Sequence, residues 1–108
     1  AAAMEKVWAL TPYVTYVGPR SKSITVGWDA LKKRWEENNN ATLQRNISLS
    51  DQLIHANGNL AWEMGVEVGQ VKLKNGNVLE TDIIVTNVYE KIDGRWLMVS
   101  HHVQPRPQ

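Results

Sequence analysis

Two glutamates and two histidines are the residues of this sequence whose types and spacing could do acid–base chemistry. Glu63 and Glu67 share one face of a predicted strand, and Gly65 between them on that face leaves open space. His101 and His102 are adjacent near the end of the chain. Adjacent residues of a strand point to opposite faces, so the two imidazoles cannot bind one metal ion together, and we expect no metal site. We predict Glu67 and His101 as the catalytic residues, with no cofactor.

The environment of the two glutamates decides whether they can act in catalysis. They lie about 13 Å apart along an extended strand, which is too far for a paired-carboxylate mechanism. A single glutamate against apolar walls would instead have a raised pKa, in the range that suits a general acid or base. We expect Val85, Val99 and Val103 to form those walls. Alternatively, both carboxyls are solvated or paired with Lys or Arg on a neighbouring strand, and the histidine is structural.

The register of the last hairpin determines which histidine faces the glutamates. If residues 92–94 form a three-residue loop, then Asn87, Tyr89 and His101 share the inner face of the sheet. If the loop has only two residues, His102 replaces His101 on that face. The spacing of the residues alone leaves both registers open.

Turn signals divide the rest of the chain into the elements that must position these side chains. Asn57-Gly58, Asn75-Gly76 and Asp93-Gly94 separate four strand-like runs, and such dipeptides are strong hairpin signals. The four predicted strands are residues 43–56, 60–74, 77–91 and 95–104.

Two predicted helices and two short strands precede these hairpins. The first helix, the two strands and the second helix are predicted at residues 1–10, 13–17, 23–26 and 27–40. The second helix opens at Gly27-Trp28-Asp29 with Asp29 as its N-cap, and its basic run, residues 32–34, is expected on a solvated face. These elements predict one α+β domain over residues 1–108, with a strongly curved antiparallel sheet and packed N-terminal helices.

Apolar residues on the even positions of the second long strand predict an association surface. An exposed patch of this size is unusual on a monomer, so we expect a homodimer or a higher homo-oligomer. The residues expected on this outer face are Leu60, Trp62, Met64, Val66, Val68, Trp96 and Met98. The apolar positions become odd at Val71 and Leu73, and this change of phase predicts a β-bulge at Gly69-Gln70.

Composition excludes several classes of protein. The chain has 108 residues, 43% of them hydrophobic, and a net charge of +1, which describes a globular domain rather than a disordered segment. We expect no nucleic-acid partner and no membrane association, because there is neither a strong positive charge nor a long apolar run. The absence of cysteine excludes thiolate catalysis. The start of the chain does not resemble a secretion signal, so we expect a cytoplasmic protein.

Two motifs resemble a known family. Gly27-Trp28-Asp29-Ala30 opens the second helix, and residues 88–102 read VYEKIDGRWLMVSHH. From residue 4 to residue 105 the chain resembles the nuclear-transport-factor-2-like superfamily, in the SnoaL-like branch that also includes the kinase association domain. The resemblance implies a cone-shaped sheet around a ligand-binding pocket. It also implies either a small-molecule-binding domain, with cofactor-free isomerase, dehydratase or hydrolase chemistry, or a non-catalytic association module.

The resemblance also assigns pocket positions. It favours the three-residue loop, because that register places Asn87 and Val103 at family pocket positions, and it puts Glu67 where the association domain carries an arginine. The expected lining is Glu63, Asn87, Tyr89, Val99 and Val103, with Trp35 and Tyr16 at the edge.

The start of the chain determines which segment covers an apolar strip of the sheet. Family members carry a long helix before the segment that begins here at Met4, so an apolar strip of the sheet needs another cover. We expect the predicted N-terminal helix to fold over that strip, with Trp8 as the plug, or another subunit to cover it.

Overall fold

The computed structural model describes residues 4–19 and 21–107, apart from the side chains of residues 4 and 38–41. Six strands and one α-helix follow each other in this part of the chain. They are β1 (Thr15–Val17), β2 (Thr25–Val26), α1 (Trp28–Ala41), β3 (Thr42–Asn57), β4 (Leu60–Leu73), β5 (Val78–Ile92) and β6 (Arg95–Pro105). The four predicted long strands are therefore confirmed to within two residues at each end. In this part of the chain, no helix is long and apolar enough to span a membrane.

All six strands form one mixed sheet in the order β2-β1-β6-β5-β4-β3. Strands β3 to β6 form an antiparallel meander, because glycines with positive φ at positions 58, 76 and 94 permit the tight turns between them. The short strand β1 runs parallel to β6. The prediction of a purely antiparallel sheet was therefore wrong at this one strand pair.

The predicted N-terminal helix is absent from the described residues. Met4–Lys6 form one 3-10 turn, and residues 1–3 lie outside the described part of the chain. The following residues run alongside β6: the Ala9 amide donates to the Met98 carbonyl, and the Met98 amide donates to the Val7 carbonyl. This extended path supplies partners for backbone groups at the edge of β6, which a helix could not do. Among the described residues α1 is thus the single α-helix, and the packed N-terminal helices were wrongly predicted.

The start of α1 differs slightly from the prediction. The helix begins at Trp28, so Asp29 lies in its first turn instead of at the N-cap. A carboxylate there still interacts favourably with the positive end of the helix dipole. Gly27 precedes the helix with a φ of 89°, and its amide donates to the carbonyl of Val14 on the loop before β1.

The two faces of β4 and β5 differ in solvent exposure. We call the more buried one the inner face and the more exposed one the outer face. Odd-numbered residues form the inner face, where Ala61, Gly65 and Val71 of β4 are buried. Even-numbered residues form the outer face, where Leu60, Trp62, Met64 and Val68 are exposed.

The predicted bulge at Gly69-Gln70 is wrong. Pairing of β4 with β5 is continuous through these residues, and odd positions remain the inner ones beyond them. The apolar positions change from even to odd because the outer face of the first part of β4 is itself apolar, while the inner face remains on odd positions throughout. The register shifts lie instead in β3, between Thr42 and Gln44 and between Ser50 and Leu53. Gly69 is required for another reason, since a Cβ atom there would lie 2.0 Å from the Asn46 carbonyl oxygen on β3.

The last hairpin has a two-residue turn, so the predicted three-residue loop is wrong. Ile92 pairs with Arg95, and both turn residues, Asp93 and Gly94, have positive φ. A register shift then leaves Val99 of β6 without a partner on β5. The extra residue restores the expected parity, so that Asn87 pairs with His101 and His102 does not replace it.

Two clusters of buried side chains form the core. The larger contains Trp8, Ala9, Val14, Tyr16, Leu31 and Val99. The smaller contains Ile83, Val85 and Val103. Trp8 is only 2% exposed, as expected for the plug, but it enters the core from the extended segment beside β6.

Candidate functional site

Glu63 on the inner face of β4 is the centre of a hydrogen-bond network. Its Oε1 accepts hydrogen bonds from Asn87 Nδ2 and from the Tyr89 hydroxyl, both at 3.0 Å, and its Oε2 accepts one from Gln52 Nε2. Asn87 pairs directly with Glu63 across β4 and β5, and Tyr89 is two residues further along the same face. Burial alone would raise the pKa of Glu63, but the three donors outweigh it and lower that pKa. Glu63 is therefore an ionised acceptor.

The ionisation of Glu63 determines the tautomer of His101. A carboxylate can only accept hydrogen bonds, so the Asn87 amide nitrogen faces Glu63 and its Oδ1 faces His101. The Nδ1 atom of His101 lies 2.6 Å from that oxygen and must carry the proton when the imidazole is neutral. Nε2 then keeps a lone pair, and it has no hydrogen-bond partner among the described residues.

His101 is held neutral by its surroundings. Its ring stacks on the Tyr16 ring, with centroids 5.3 Å apart and planes 14° apart. Burial, with a smaller contribution from the charge of His102, lowers the pKa of His101 to about 4. His102 is exposed and pairs with Thr86 on the outer face.

The lowered pKa of His101 predicts a pH-dependent stability. In the unfolded chain a histidine binds a proton near pH 6.5, whereas folded His101 does so only near pH 4. Stability is therefore fully present above pH 6.5 and is lost as pH falls toward 4, by roughly 2–3 kcal/mol over that window. Urea unfolding at several pH values would measure the loss. His101→Gln should flatten the part between pH 6.5 and pH 5, and equal slopes in both proteins would contradict the prediction.

Glu67 is also on the inner face of β4, where it pairs with Leu49 and Ile83. It makes no hydrogen bond or ion pair with the described residues. Burial raises its pKa, the positive charge of Arg45 opposes this, and the negative charge of Glu63 adds to it. Glu67 is therefore a half-buried carboxyl group with an unused hydrogen-bonding capacity, in contrast to Glu63.

An aromatic and basic cluster lies between α1, β1 and β3. The Arg34 guanidinium carbon lies 5.5 Å from the centre of the Tyr16 ring, and that of Arg45 lies 5.9 Å from the centre of the Trp35 ring. Burial raises the pKa of Tyr16, whereas both arginines act to lower it and Glu67 acts to raise it. These charges therefore act on the same region of the inner face.

The structure brings most of the predicted site residues together. Glu63, Asn87, Tyr89, His101 and Tyr16 are joined by hydrogen bonds and ring stacking. Of the expected walls, Val99 belongs to the core around Tyr16, whereas Val85 pairs with Val103 beyond His101 on β6. Trp35 packs against the core at the edge of the aromatic and basic cluster.

Three polar residues of this region were missed by the sequence analysis. Gln52 comes from the irregular part of β3, where side chains do not follow the alternation of a regular strand. Arg45 lies on β3, and it was missed because it belongs to no recognisable sequence motif. Arg34 belongs to the basic run expected on a solvated face, but only part of that run is solvated. Lys32 pairs with Glu5 at 3.3 Å, and Arg34 packs on Tyr16.

The described residues contain no group of three or more His, Asp or Glu side chains that could hold a metal ion. Two surface depressions lie away from the network of Glu63 and His101. One is lined by Gln44, Asn46, Gln70, Lys72 and Val78, and the other by Ile24, Thr25, Val26, Ala30, Lys33, Arg34 and Glu37. The network therefore belongs to the sheet face itself and to neither depression.

Solved structures show the same fold at low sequence identity. An NTF2-like (nuclear transport factor 2-like) superfamily protein from Salmonella enterica subsp. enterica serovar Typhimurium str. LT2 has a TM-score of 0.87 at 19% identity, covering 99% of this chain and 78% of that one. A candidate dehydratase of the NTF2-like family from Streptomyces avermitilis has a TM-score of 0.77 at 19% identity, covering 88% and 68%. The association domain of C. elegans CaMKII has a TM-score of 0.67 at 20% identity, covering 92% and 75%.

Sequence comparison gives the family directly. No curated protein sequence matches the chain. The family model described as a SnoaL-like domain matches residues 1–104, which is nearly the whole sequence. The chain therefore belongs to the SnoaL-like domain family.

Proposed function

We propose that this domain binds a small organic molecule on the inner face of the sheet and acts on it by cofactor-free acid–base catalysis. Glu67 is the proton-transferring group, and His101 holds the molecule through Nε2. The observation that carries the proposal is the chain of hydrogen bonds from Glu63 through Asn87 to His101. It leaves the Nε2 lone pair unused on the same inner face as Glu67, a carboxyl group that is also without a hydrogen-bond partner in the described residues.

The two carboxyl groups have different roles in this proposal. Glu63 is saturated with donors and its pKa is lowered, so it is a positioning residue for Asn87 and Tyr89. Glu67 has a raised pKa, which moves it toward the range in which a carboxyl group both takes and returns protons near neutrality. The environment thus separates an ionised, structural carboxylate from a reactive one.

His101 is suited to accept a hydrogen bond and unsuited to act as the base. Its pKa of about 4 makes the imidazole a weak proton acceptor at neutral pH. Its Nε2 can accept a hydrogen bond from a hydroxyl or amide group of the bound molecule. The proposal therefore assigns proton transfer to Glu67 alone.

The removal of a proton next to a carbonyl group tests this assignment. We would incubate the protein in D₂O with cyclic ketones and enones and follow deuterium exchange by NMR. The wild-type protein should accelerate exchange, and Glu67→Gln should reduce the rate at least about 100-fold, the usual contribution of an acid–base group. Glu80→Gln is the matched control, since Glu80 is an exposed β5 residue bonded to Gln70.

Two results would count against the proposal. If compounds bind at Tyr16 and His101 but no deuterium exchange is accelerated, the domain binds small molecules without catalysis, and Glu67 has no catalytic role. Chemical-shift changes restricted to outer-face residues would remove the inner face as the binding site.

A second candidate function is association through the outer face, and one observation favours it. The even positions of β4 expose a tryptophan, a methionine, a leucine and a valine, and Leu53 on β3 adds a 69% exposed side chain beside Met64. Contiguous apolar surface of this kind marks interaction sites. The structural likeness to an association domain is consistent with a homo-oligomer. Binding on one face and association through the other are compatible.

The expected composition of the outer face needs one correction. Trp96 pairs with Lys91, and Met98 pairs with Tyr89, so by register both are on the inner side. Trp62, Met64 and Val66 pair with Val88, Thr86 and Ile84, which are outer-face positions of β5. The association surface that we propose is therefore centred on β4 and excludes the two β6 residues.

A further inference from the structure

The cluster of Arg34, Arg45, Tyr16 and Trp35 contains two arginines that form no ion pair with the described residues. The two ion pairs among the described residues, Lys32 with Glu5 and Arg106 with Asp82, involve neither Arg34 nor Arg45. Glu67 is the acidic residue whose charge acts on Tyr16, and it forms no ion pair with either guanidinium group among the described residues. Glu67 can balance at most one of the two charges.

Arg34 is also short of hydrogen bonds. Its Nη2 donates to Ser21 Oγ at 3.2 Å, while its Nε is buried and has no partner. An unsatisfied buried donor is unfavourable, so a small rotation that gave Nε an acceptor would be favoured. Tyr16 contacts the guanidinium with its ring, and a hydrogen bond from Arg34 to its hydroxyl acts to lower the pKa of Tyr16, but neither contact satisfies Nε.

We propose that the molecule bound on the inner face is an organic acid with one carboxylate, which binds next to Tyr16 between Arg34 and Arg45. This inference rests on the binding site of the proposed function and names its ligand class. The planar guanidinium groups match the geometry of a carboxylate. One negative charge matches the positive charge of the two arginines that Glu67 leaves unbalanced. The double negative charge of a phosphate monoester would be repelled by Glu67. The rings of Tyr16, Trp35 and His101 offer flat surfaces for the body of the acid.

Matched acids and amides test the inference on the full chain. Benzoate, cyclohexanecarboxylate and indole-3-acetate would be titrated by NMR, each beside its own carboxamide and beside phenyl phosphate. We expect at least one acid to bind about tenfold or more tightly than its amide and than phenyl phosphate. Arg45→Gln should weaken that acid about tenfold and leave the amide unchanged. Arg45 is exposed, so its replacement should not unfold the protein.

Lys33→Gln is the control variant, because it removes the same charge from an exposed position of α1. Equal binding of acids and amides at Tyr16 and His101, unaffected by Arg45→Gln, would overturn the inference and leave inner-face binding intact. Preferred binding of phenyl phosphate would overturn the choice of a carboxylate. Failure of every acid and amide to shift inner-face resonances would overturn both the inference and the proposed function.

Discussion

Replacing Trp8 with alanine is expected to lower the free energy of unfolding by about 3–5 kcal/mol. Trp8 is 2% exposed and packs in one cluster with Val14, Leu31 and Val99, which come from three separate parts of the fold. Truncation would leave a cavity where the N-terminal segment, α1 and β6 meet. Small domains have only about 5–15 kcal/mol of stability, so the variant should be close to unfolding at physiological temperature.

Urea denaturation followed by circular dichroism measures this effect. Trp96→Ala is the matched control, because Trp96 is 43% exposed and should cost less than about 1 kcal/mol. A near-neutral result for Trp8→Ala would show that the segment beside β6 contributes little to the core. The same measurement on Met98→Ala would then be needed to find what stabilises that edge of β6.

Replacing Trp62 with glutamate is expected to dissociate the homodimer that we propose into monomers. Trp62 is 39% exposed at the middle of the apolar outer face, with its ring 4.7 Å from that of His55. Loss of a tryptophan at the centre of an interface typically costs 2 kcal/mol or more, which corresponds to a dissociation constant raised at least about 30-fold. A buried, unpaired carboxylate would add to this cost.

Analytical ultracentrifugation at tens of micromolar measures the outcome. Trp96→Glu makes the same change at a tryptophan of similar exposure on the opposite side of the sheet, and it should leave the dimer intact. A wild-type protein that sediments as a monomer at this concentration would contradict the association surface. Dissociation by Trp96→Glu but not by Trp62→Glu would move the interface to the other side.

Local sequence signals determined the four long strands and the faces of β4. Asn-Gly and Asp-Gly turns depend on the backbone freedom of two adjacent residues, so they can be recognised without knowing the rest of the fold. Period-two alternation likewise placed Glu63 and Glu67 on one face and the apolar residues from Leu60 to Val68 on the other. The family resemblance rested on the same local motifs, and the family model confirms it.

The composition of the site was only partly predictable for a physical reason. Alternation on two paired strands predicts the shared face of Asn87, Tyr89 and Glu63. Gln52 reaches Glu63 because of a register shift in β3, which no local sequence pattern predicts. His101 lies on the inner face as predicted, although the predicted register is wrong. The turn is one residue shorter than predicted, and the unpaired Val99 compensates for that difference.

Other features of the fold depend on contacts between distant parts of the chain. The residues around Trp8 favour a helix locally, but they lie extended because β6 offers an edge of unpaired backbone groups and a cavity that the indole fills. The basic run of α1 was typical of a solvated face, yet Arg34 lies over Tyr16 because α1 packs beside β1. Turns and alternation depend on neighbouring residues, so they can be recognised from the sequence alone. The partners of Trp8, Gln52 and Arg34 are fixed only when the whole sheet has formed, because burial and hydrogen bonding across it outweigh local preference.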